Sequence, residues 1–459
     1  MKNLRIYITS ILCVILFVST TDGVVAEEQG FGPLDFMERR DKLAAQITEG
    51  VAIITNYSGM LARTRTDPEF LYLTGVQIPG AKLILIPKEI AAESDHPEFW
   101  KTTLYLPSKN PRGGVWDDME LYPGEEAEKE TGIENTASLD MFSSHVARLG
   151  NITDTVYLSL GSNGMSLEQL PSNLEFANSI KKILPQVKIM NLSPILDDMR
   201  RKKSPKEIAV MKKAVEVTVE AFKEAARFAK PGVYEYEIEA LIHYIFRRQG
   251  SQRAAFLIIA SGPNSCILHH MKNDRLMEEG DLLKIDIGTV YGSMSTDLTR
   301  TIPVSGTFSP EQRKIYQIVL EASKKAISIV KPGVSLADVH KAAFEVIDAA
   351  GYGKYFIHGT SHTLNGGPHA KLTSMGLALT GTYGQYPMNR YYAQDNPLVP
   401  GSMFTIEPGI YIPEKNLGIR IEDDILVTET GYEILTEAAP REIGEIEKLM
   451  KENTVYIKQ

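Results

Sequence analysis

The stretch of sequence that decides the fold is DLLKIDIGTVYGSMSTDLTRT, residues 281–301. Its first half alternates between apolar and polar residues, which predicts a strand with Lys284 and Asp286 on the same face. Its second half can pair back on the first, and a two-residue turn at 291–292 would place Asp297 directly opposite Asp286. The Cβ atoms of such a pair lie about 5 Å apart, where two like charges are destabilising. The chain therefore either bears that cost, keeps a proton between the two carboxyl groups, or binds a cation.

A second acidic pair follows further along the chain. Residues 403–407 and 418–422 are predicted to form two more strands, the first ending in Glu407 and the second carrying Arg420 and Glu422 on one face. The acidic residues beyond the second strand are expected to form a solvated rim: Asp423, Asp424 and Glu429.

Several histidines lie between the two acidic pairs. His358 and His362 belong to the segment HGTSH, and their spacing of four would suit a metal site on a helix. The Gly and Thr between them favour a loop instead. His369 follows them, whereas His243 and His340 lie in predicted amphipathic helices and are expected to be structural.

Taken together, these residues predict a metal site. Four carboxylates and one histidine that met in a cleft without cations would carry a prohibitive negative charge. Two divalent ions would nearly balance that charge. Oxygen-rich ligation with one imidazole favours Mn²⁺, with Co²⁺, Zn²⁺ or Fe²⁺ as alternatives.

An internal repeat organises this second part of the chain. The sequence KPGV occurs at residues 230–233 and again at 331–334, each time after one predicted helix and before a second. The second helix closes on Gly250 in the first copy and on Gly351 in the other, and strand-like segments follow. The repeat predicts a duplicated unit, with the strands of both halves in one curved sheet, helices outside, and a site in the cleft between the halves.

A boundary is predicted near residue 200. The basic run at residues 200–203 is expected to be exposed, and a helix should begin next because Ser204 and Glu207 form a capping box around Pro205. Upstream, the pattern mixes helix and strand, with buried strands predicted at residues 51–55 and 82–86.

Composition and the first residues restrict the class of protein. The 459 residues carry a formal net charge of −9, which argues against a general nucleic-acid binder. Two cysteines cannot build a disulfide framework. Residues 1–26 have the basic start, short apolar run and small-residue end of a signal peptide. We therefore expect an exported protein, periplasmic or secreted, with no stable membrane anchor after cleavage.

The chain resembles the Xaa-Pro aminopeptidase (aminopeptidase P) and prolidase family of metallopeptidases, whose catalytic domain has the pita-bread fold. An ordered series of motifs carries the resemblance: ILH at 267–269, KIDIG at 284–288, TDLTRT at 296–301, HGTSH at 358–362, TIEPG at 405–409 and GIRIEDD at 418–424. It implies an α/β (α+β) architecture, with a smaller creatinase/aminopeptidase P-type N-terminal domain at residues 27–200. The pita-bread domain, with its internal pseudo-twofold duplication, would then cover residues 201–459.

The resemblance also implies a set of metal ligands. Asp286 would bind one ion, Asp297 and Glu422 would bridge both ions, and His362 and Glu407 would bind the second.

Further residues match the substrate site of the family. His269, His358 and His369 would line that site and steady the transition state, Arg420 would orient a ligand, and Glu407 would also carry a proton. Residues 365–370, NGGPHA, keep the spacing of His369 from the metal-site histidine but lack the family's acidic follower. The substrate pocket is therefore expected to differ from the family pattern.

The implied activity is that of a dinuclear aminopeptidase that releases the N-terminal residue from peptides with proline in second position, through a metal-bridging hydroxide. Segments 67–75 and 109–117 resemble the aminopeptidase P form more than the prolidase form. Two alternatives stay open: a prolidase that cuts only Xaa-Pro dipeptides, and a non-catalytic secreted peptide-binding protein on the same scaffold. Family habit suggests a homodimer or homotetramer.

Overall fold

The computed structural model describes residues 30–56, 67–109, 121–160, 172–364 and 397–455. The predicted signal peptide and His369 lie outside these residues, as does most of segment 109–117. In the described part of the chain, no helix combines the length and the apolar character needed to cross a membrane.

The described residues of the first part of the chain are built on a six-stranded mixed sheet with the order β4-β3-β2-β1-β5-β6. Its strands are β1 (Val51–Thr55), β2 (Lys82–Leu85), β3 (Thr103–Leu106), β4 (Thr136–Ser138), β5 (Thr155–Leu158) and β6 (Lys188–Asn191). Its helices are α1 (Pro33–Ala44), α2 (Pro68–Thr74), α3 (Lys88–Ala92), α4 (Glu125–Thr131), α5 (Phe142–Arg148), α6 (Ser172–Ile183) and α7 (Ser193–Arg201).

Both faces of this sheet are buried. Alternate residues of β1 belong to two different apolar clusters, Ile54 to one and Ile53 to the other. Strand β2 divides in the same way, with Leu83 in the first cluster and Ile84 in the second. The two predicted buried strands are therefore confirmed, and helices cover the sheet on either side.

Within residues 201–364 and 397–455, the structure contains four long helices, one shorter helix and three hydrogen-bonded strand ladders. The helices are α8 (Pro205–Phe228), α9 (Glu235–Arg248), α10 (Pro310–Ser328), α11 (Leu336–Ala349) and the shorter α12 (Ile443–Leu449). The strands are β7 (Arg253–Ser261), β8 (Leu282–Tyr291), β9 (Met294–Ser295), β10 (Leu298–Pro303), β11 (Met403–Ile406), β12 (Gly409–Ile412), β13 (Leu417–Arg420), β14 (Asp423–Val427) and β15 (Tyr432–Ile434).

The ladders differ from the single curved sheet that the sequence predicts. Among the described residues, β7, β8, β9 and β10 form one ladder, β11, β14 and β15 a second, and β12 and β13 a third. Individual bonds join the ladders, such as the Glu422 amide donating to the Thr299 carbonyl at 3.0 Å. One apolar cluster still runs through all three, from Ile285 in β8 to Phe404 in β11 and Ile419 in β13.

The internal repeat is confirmed by matching backbone hydrogen bonds. In the first copy the Gly232 amide donates to the Met277 carbonyl, and the Met277 amide donates back to Val233, both at 2.9 Å. In the second copy Gly333 and Leu398 make the same exchange, with the Leu398 amide donating to Val334 at 2.8 Å. The two glycines have φ angles of 89° and 90°, a region that favours glycine. The two halves of the domain therefore repeat one local structure.

The boundary region departs in part from its prediction. Helix α8 begins as expected, since Ser204 accepts a hydrogen bond from the Glu207 amide and Glu207 accepts one from the Ser204 amide. The basic run before it is not fully exposed, because Arg200 and Lys203 are buried. The Lys203 ammonium donates to the Arg200 carbonyl at 2.5 Å, and burial lowers the pKa of Lys203 to about 7. Part of the run is therefore buried where the domain of the six-stranded sheet meets the domain of the three ladders, and the Lys203 amide donates to the Gly401 carbonyl there.

Candidate metal centre

The first acidic pair lies on the hairpin formed by β8, β9 and β10. Its turn consists of Gly292 and Ser293, with φ angles of 53° and 62°. The predicted turn at 291–292 was therefore wrong, and Thr299, not Asp297, lies directly opposite Asp286. Because the register differs from the prediction by an even number of residues, both carboxylates still lie on one face, in diagonal positions.

The second acidic pair lies where two ladders meet. Strand β12 pairs with β13 and β11 pairs with β14, and the two registers are continuous across the gap between them. That shared register places Glu407 level with Glu422, at the point where Pro408 interrupts the pairing. The Thr299 hydroxyl donates to Glu422 Oε2 at 2.5 Å, so the first hairpin holds a side chain of the second.

The HGTSH segment runs alongside β11 as an extended loop, as predicted. The Thr405 amide donates to the His362 carbonyl at 2.9 Å, and the Glu407 amide donates to the Thr360 carbonyl at 2.8 Å. This pairing aims the His362 side chain at the carboxylates. Its Nε2 atom lies 3.3 Å from Asp297 Oδ2 and 3.7 Å from Glu407 Oε1.

Three of the five predicted ligands present their donor atoms to one another. One ligand atom each from Asp297, His362 and Glu422 lie within 4.8 Å of one another. Glu407 lies next to this group, with its Oε1 atom 3.7 Å from His362 Nε2. Asp286 lies on the same face of the hairpin, where the Arg420 guanidinium contacts its Oδ2 atom. The structure thus brings Asp297, His362, Glu407 and Glu422 together from both halves of the domain, whereas the described contact of Asp286 is with Arg420.

The electrostatics of this cluster are unfavourable without cations. Burial and the neighbouring Glu422 and Asp424 carboxylates raise the pKa of Asp297 well above its usual value. Burial and Glu422 likewise raise the pKa of Glu407. The buried Oδ1 atom of Asp286 has no hydrogen-bond partner among the described residues.

The donor atoms of this cluster are of the kinds that divalent metal ions bind. Four carboxylates supply hard oxygen donors and one imidazole supplies a nitrogen donor, and the buried Oδ1 atom of Asp286 is available for a further bond. Divalent cations would remove the repulsion that raises the carboxyl pKa values. The residues present therefore fit divalent metal ions.

The predicted solvated rim is wrong for two of its three residues. Asp423 and Asp424 are completely buried. Arg300 Nη2 lies 2.6 Å from Asp423 Oδ1, and Arg441 lies 3.0 Å from its other oxygen. Asp424 Oδ2 accepts the Asp297 amide at 3.1 Å. Asp424 thus supports the backbone of Asp297, and Asp423 holds Arg300. The sequence does not predict the burial of these two carboxylates, because Asp297 and Arg300 are distant from them in the chain.

The remaining predicted site histidines lie beside the cluster. His358 is buried, its Nε2 atom lies 2.9 Å from the Tyr411 hydroxyl, and burial lowers its pKa to about 4. The His269 side chain is in part exposed to solvent. Burial of the rest of the ring, together with the nearby Arg420 and Lys284 charges, lowers its pKa. His340 is structural as predicted, with Nδ1 at 2.8 Å from the Thr360 hydroxyl.

A second group of possible ligands lies elsewhere in the domain, at Glu235, His270 and Asp274. The buried Glu235 carboxylate already accepts hydrogen bonds from Ser261, Asn264 and the Arg275 amide, and it pairs with His270 at 3.0 Å. These contacts satisfy it, so its role is to hold the loop after β7.

Comparison with known proteins gives consistent matches along the chain. The profile of the Metallopeptidase family M24 matches residues 209–429, and that of the Aminopeptidase P, N-terminal domain matches residues 36–157. The Xaa-Pro aminopeptidase of Escherichia coli (strain K12) is 31% identical over 453 residues, which cover 91% of this chain and 97% of that protein. The Xaa-Pro dipeptidase of Pyrococcus furiosus is 35% identical over 280 residues, 61% of this chain and 74% of its own.

Solved structures agree with this pattern. The aminopeptidase PepP of Pseudomonas aeruginosa superposes with a TM-score of 0.78 at 29% identity, covering 92% of this chain and 98% of its own. The aminopeptidase P of Escherichia coli with the inhibitor Pro-Leu gives a TM-score of 0.76 at 28% identity, with the same coverage.

Proposed function

The chain belongs to the metallopeptidase family M24, in its aminopeptidase P branch, and we propose that it is a metal-dependent aminopeptidase acting on peptides with proline in second position. The observation that carries the proposal is the meeting of ligand atoms from Asp297, His362 and Glu422 within 4.8 Å. Relatives that match along nearly the whole chain include Xaa-Pro aminopeptidases, and the profiles of the M24 family and of the aminopeptidase P N-terminal domain both match this chain.

The proposed cofactor is a pair of divalent ions held by Asp286, Asp297, His362, Glu407 and Glu422. When bound, such ions would lower the pKa of water and polarise a substrate carbonyl near neutral pH. We propose Mn²⁺ as the native metal, because the set offers four carboxylates to one imidazole and no thiolate.

The chain's own residues have distinct roles around that centre. Glu407 lies beside the other carboxylates, 3.7 Å from His362 Nε2, so it can accept a proton during attack and release it to the proline nitrogen that leaves. His358 is neutral at physiological pH because burial lowers its pKa to about 4. Its Nδ1 atom lies 2.8 Å from the Gly359 carbonyl and its Nε2 atom 2.9 Å from the Tyr411 hydroxyl, so it would contact the substrate by exchanging one of these partners.

We propose that His269, which is exposed, contacts the substrate carbonyl. Arg420 orients Asp286 through their ion pair.

The two alternatives are less well supported. A prolidase is a weaker candidate, because the dipeptidase relative covers 61% of this chain whereas the aminopeptidase relative covers 91%. A non-catalytic binding protein has no need of a buried cluster of repelling carboxylates. That cluster is present here, with the pKa values of Asp297 and Glu407 both raised.

The substrate class is tested with three peptides and Mn²⁺-loaded protein. Arg-Pro-Pro should release arginine, and Arg-Ala-Ala should be hydrolysed at least about 100-fold more slowly, because a pocket built for the proline ring rejects a residue that leaves it unfilled. Release of free amino acids would be followed by chromatography. Cleavage of the dipeptide Arg-Pro alone would identify a prolidase, and equal rates for Arg-Pro-Pro and Arg-Ala-Ala would contradict the proline preference.

Export and assembly are also part of the proposal. Residues 1–26 would be removed as a signal peptide, leaving an exported protein without a membrane anchor, and the mature chain would form a homodimer or homotetramer. The net charge of −9 disfavours nucleic acid as a partner.

A further inference from the structure

A buried lysine lies next to the candidate metal centre. Lys284 is fully buried on β8, two residues before Asp286 and on the same face of that strand. A buried amine is costly unless polar groups surround it. None of the roles proposed above for the metal ligands or the substrate-site histidines uses this side chain.

The contacts of Lys284 point to the loop that carries His269. Its Nζ atom donates to the Ile267 carbonyl at 2.7 Å and lies 3.4 Å from the Leu268 carbonyl. Those are the two residues that come directly before His269. An amine donates to carbonyl oxygens in either protonation state, so these contacts do not depend on its charge.

The same loop is held at its other end by β13. The Gly418 amide donates to the Ser265 hydroxyl at 2.9 Å, and a Cβ atom at Gly418 would lie only 2.1 Å from the Ser265 carbonyl oxygen. The glycine therefore permits close packing of the loop on that strand. The loop is therefore held at Ser265 by β13 and at residues 267–268 by Lys284, and His269 follows directly.

Lys284 also faces the wall that holds the other substrate-site histidine. Its Nζ atom lies 5.6 Å from the centre of the Tyr411 ring, within the range of a cation–π interaction. The Tyr411 hydroxyl lies 2.9 Å from His358 Nε2 and 3.4 Å from Arg420 Nη1. One side chain thus contacts the loop that carries His269 and the tyrosine that contacts His358.

We propose that Lys284 is a positioning residue that fixes the His269 loop against the wall of Tyr411 and His358, so that both histidines reach one substrate. The inference rests on the proposed peptidase function. Burial and the nearby Arg420 lower the pKa of Lys284, which agrees with an amine enclosed by the protein. An apolar side chain of similar length would fill the same space but would leave the two carbonyls without their donor.

The test uses full-length protein with the variants Lys284→Met and Lys284→Gln. Lys284→Met should lower kcat/KM for Arg-Pro-Pro by about 10- to 100-fold, since small displacements of a positioned group have effects of this size. Lys284→Gln keeps an amide donor and should lose less. Mn²⁺ stoichiometry, measured by calorimetry, should stay unchanged in both, because neither replaces a proposed ligand.

A double-mutant cycle separates positioning from general damage. If Lys284 acts through His269, then Lys284→Met should cause less than about a twofold further loss in a His269→Ala background. Multiplying losses in the double variant would overturn the proposal. The matched control is Lys82→Met, since Lys82 also donates to a backbone carbonyl, that of Gly80, and lies over an aromatic ring, that of Phe142. The control should leave kcat/KM unchanged.

Hydrogen exchange provides a readout that does not need activity. Amides of residues 267–269 should exchange at least about tenfold faster in Lys284→Met than in the wild type, and Lys284→Gln should show a smaller increase. Unchanged exchange in both variants would overturn the proposal. If the wild type cleaves no peptide, the proposed function fails, but faster exchange in this loop would still establish the positioning contact. If Lys284→Met does not fold, Lys284→Gln decides both measurements.

Discussion

Replacing Asp297 with asparagine is expected to make the metal-free protein more stable while removing its response to metal. The carboxyl groups of Asp297 and Glu407 have pKa values raised by burial and by Glu422. In their protonated forms these two carboxyl groups do not repel each other, and this stability is fully present below about pH 4. It is lost as pH rises through the folded-state pKa values, because ionisation is costly in the folded protein. Asparagine removes one of the repelling charges, so the gain in unfolding free energy at pH 7 should be about 1–2 kcal/mol.

The same variant should lose most of its activity and its stabilisation by metal. Asp297 is one of three side chains whose ligand atoms lie close together, and neutral asparagine binds divalent ions less well. Hydrolysis of Arg-Pro-Pro should fall by about 10³-fold. The wild type should gain about 2.7 kcal/mol at a metal concentration 100 times its Kd, and the variant should gain little.

Thermal unfolding with and without Mn²⁺ measures both effects. The control is Asp274→Asn, an exposed residue of the group around Glu235, which should behave like the wild type. An Asp297→Asn protein that keeps the wild-type rise in Tm on addition of Mn²⁺ would contradict its assignment as a ligand.

Replacing Arg300 with methionine is expected to give the largest loss of stability. Arg300 is completely buried and lies 2.6 Å from Asp423, and it also donates to the Glu422 carbonyl at 2.5 Å. Burial alone would raise the pKa of Asp423, but Arg300 and Arg441 hold it below its usual value. Loss of Arg300 leaves a buried carboxylate with one cation partner, which should cost about 3–5 kcal/mol.

Urea denaturation of metal-free protein measures this cost. The control is Arg313→Met, because Arg313 pairs with Glu447 in a partly exposed ion pair that should contribute at most about 1 kcal/mol. The double variant Arg300→Met with Asp423→Asn should recover part of the loss, since it no longer buries an unpaired charge. Equal stability of the two arginine variants would show that the buried pair is not what stabilises this region.

The sequence predicts much of the candidate site because strand periodicity determines which side chains share a face. The turn of the first hairpin was misplaced, yet Asp286 and Asp297 kept a common face since the error was even. Gly292 and Ser293 both have positive φ, and a Gly-Ser pair is a weak indication of such a turn. The repeated KPGV segments predict the duplication, because each needs the same glycine conformation in the same hydrogen-bonded turn.

Burial of charged residues was the part that local pattern could not predict. Asp423 and Asp424 look like a solvated pair, but Arg300 lies more than a hundred residues away and neutralises the first. Arg200 and Lys203 look like an exposed basic run, although both are enclosed at the domain junction. Lys284 was placed on the correct face, but its contact with the Ile267 carbonyl depends on a loop that only the fold brings near. Such partners arise from tertiary packing and leave no periodic pattern in the sequence.

We propose that Asp286, Asp297, His362, Glu407 and Glu422 form a metal centre that hydrolyses Xaa-Pro peptides. Its most direct test is to strip the protein with a chelator, add Mn²⁺ in small portions, and measure hydrolysis of Arg-Pro-Pro after each addition. We predict no activity before metal is added and a rise to a plateau near two ions per chain. Full activity in the stripped protein, or the same titration curve in Asp297→Asn, would contradict the assignment of this metal centre.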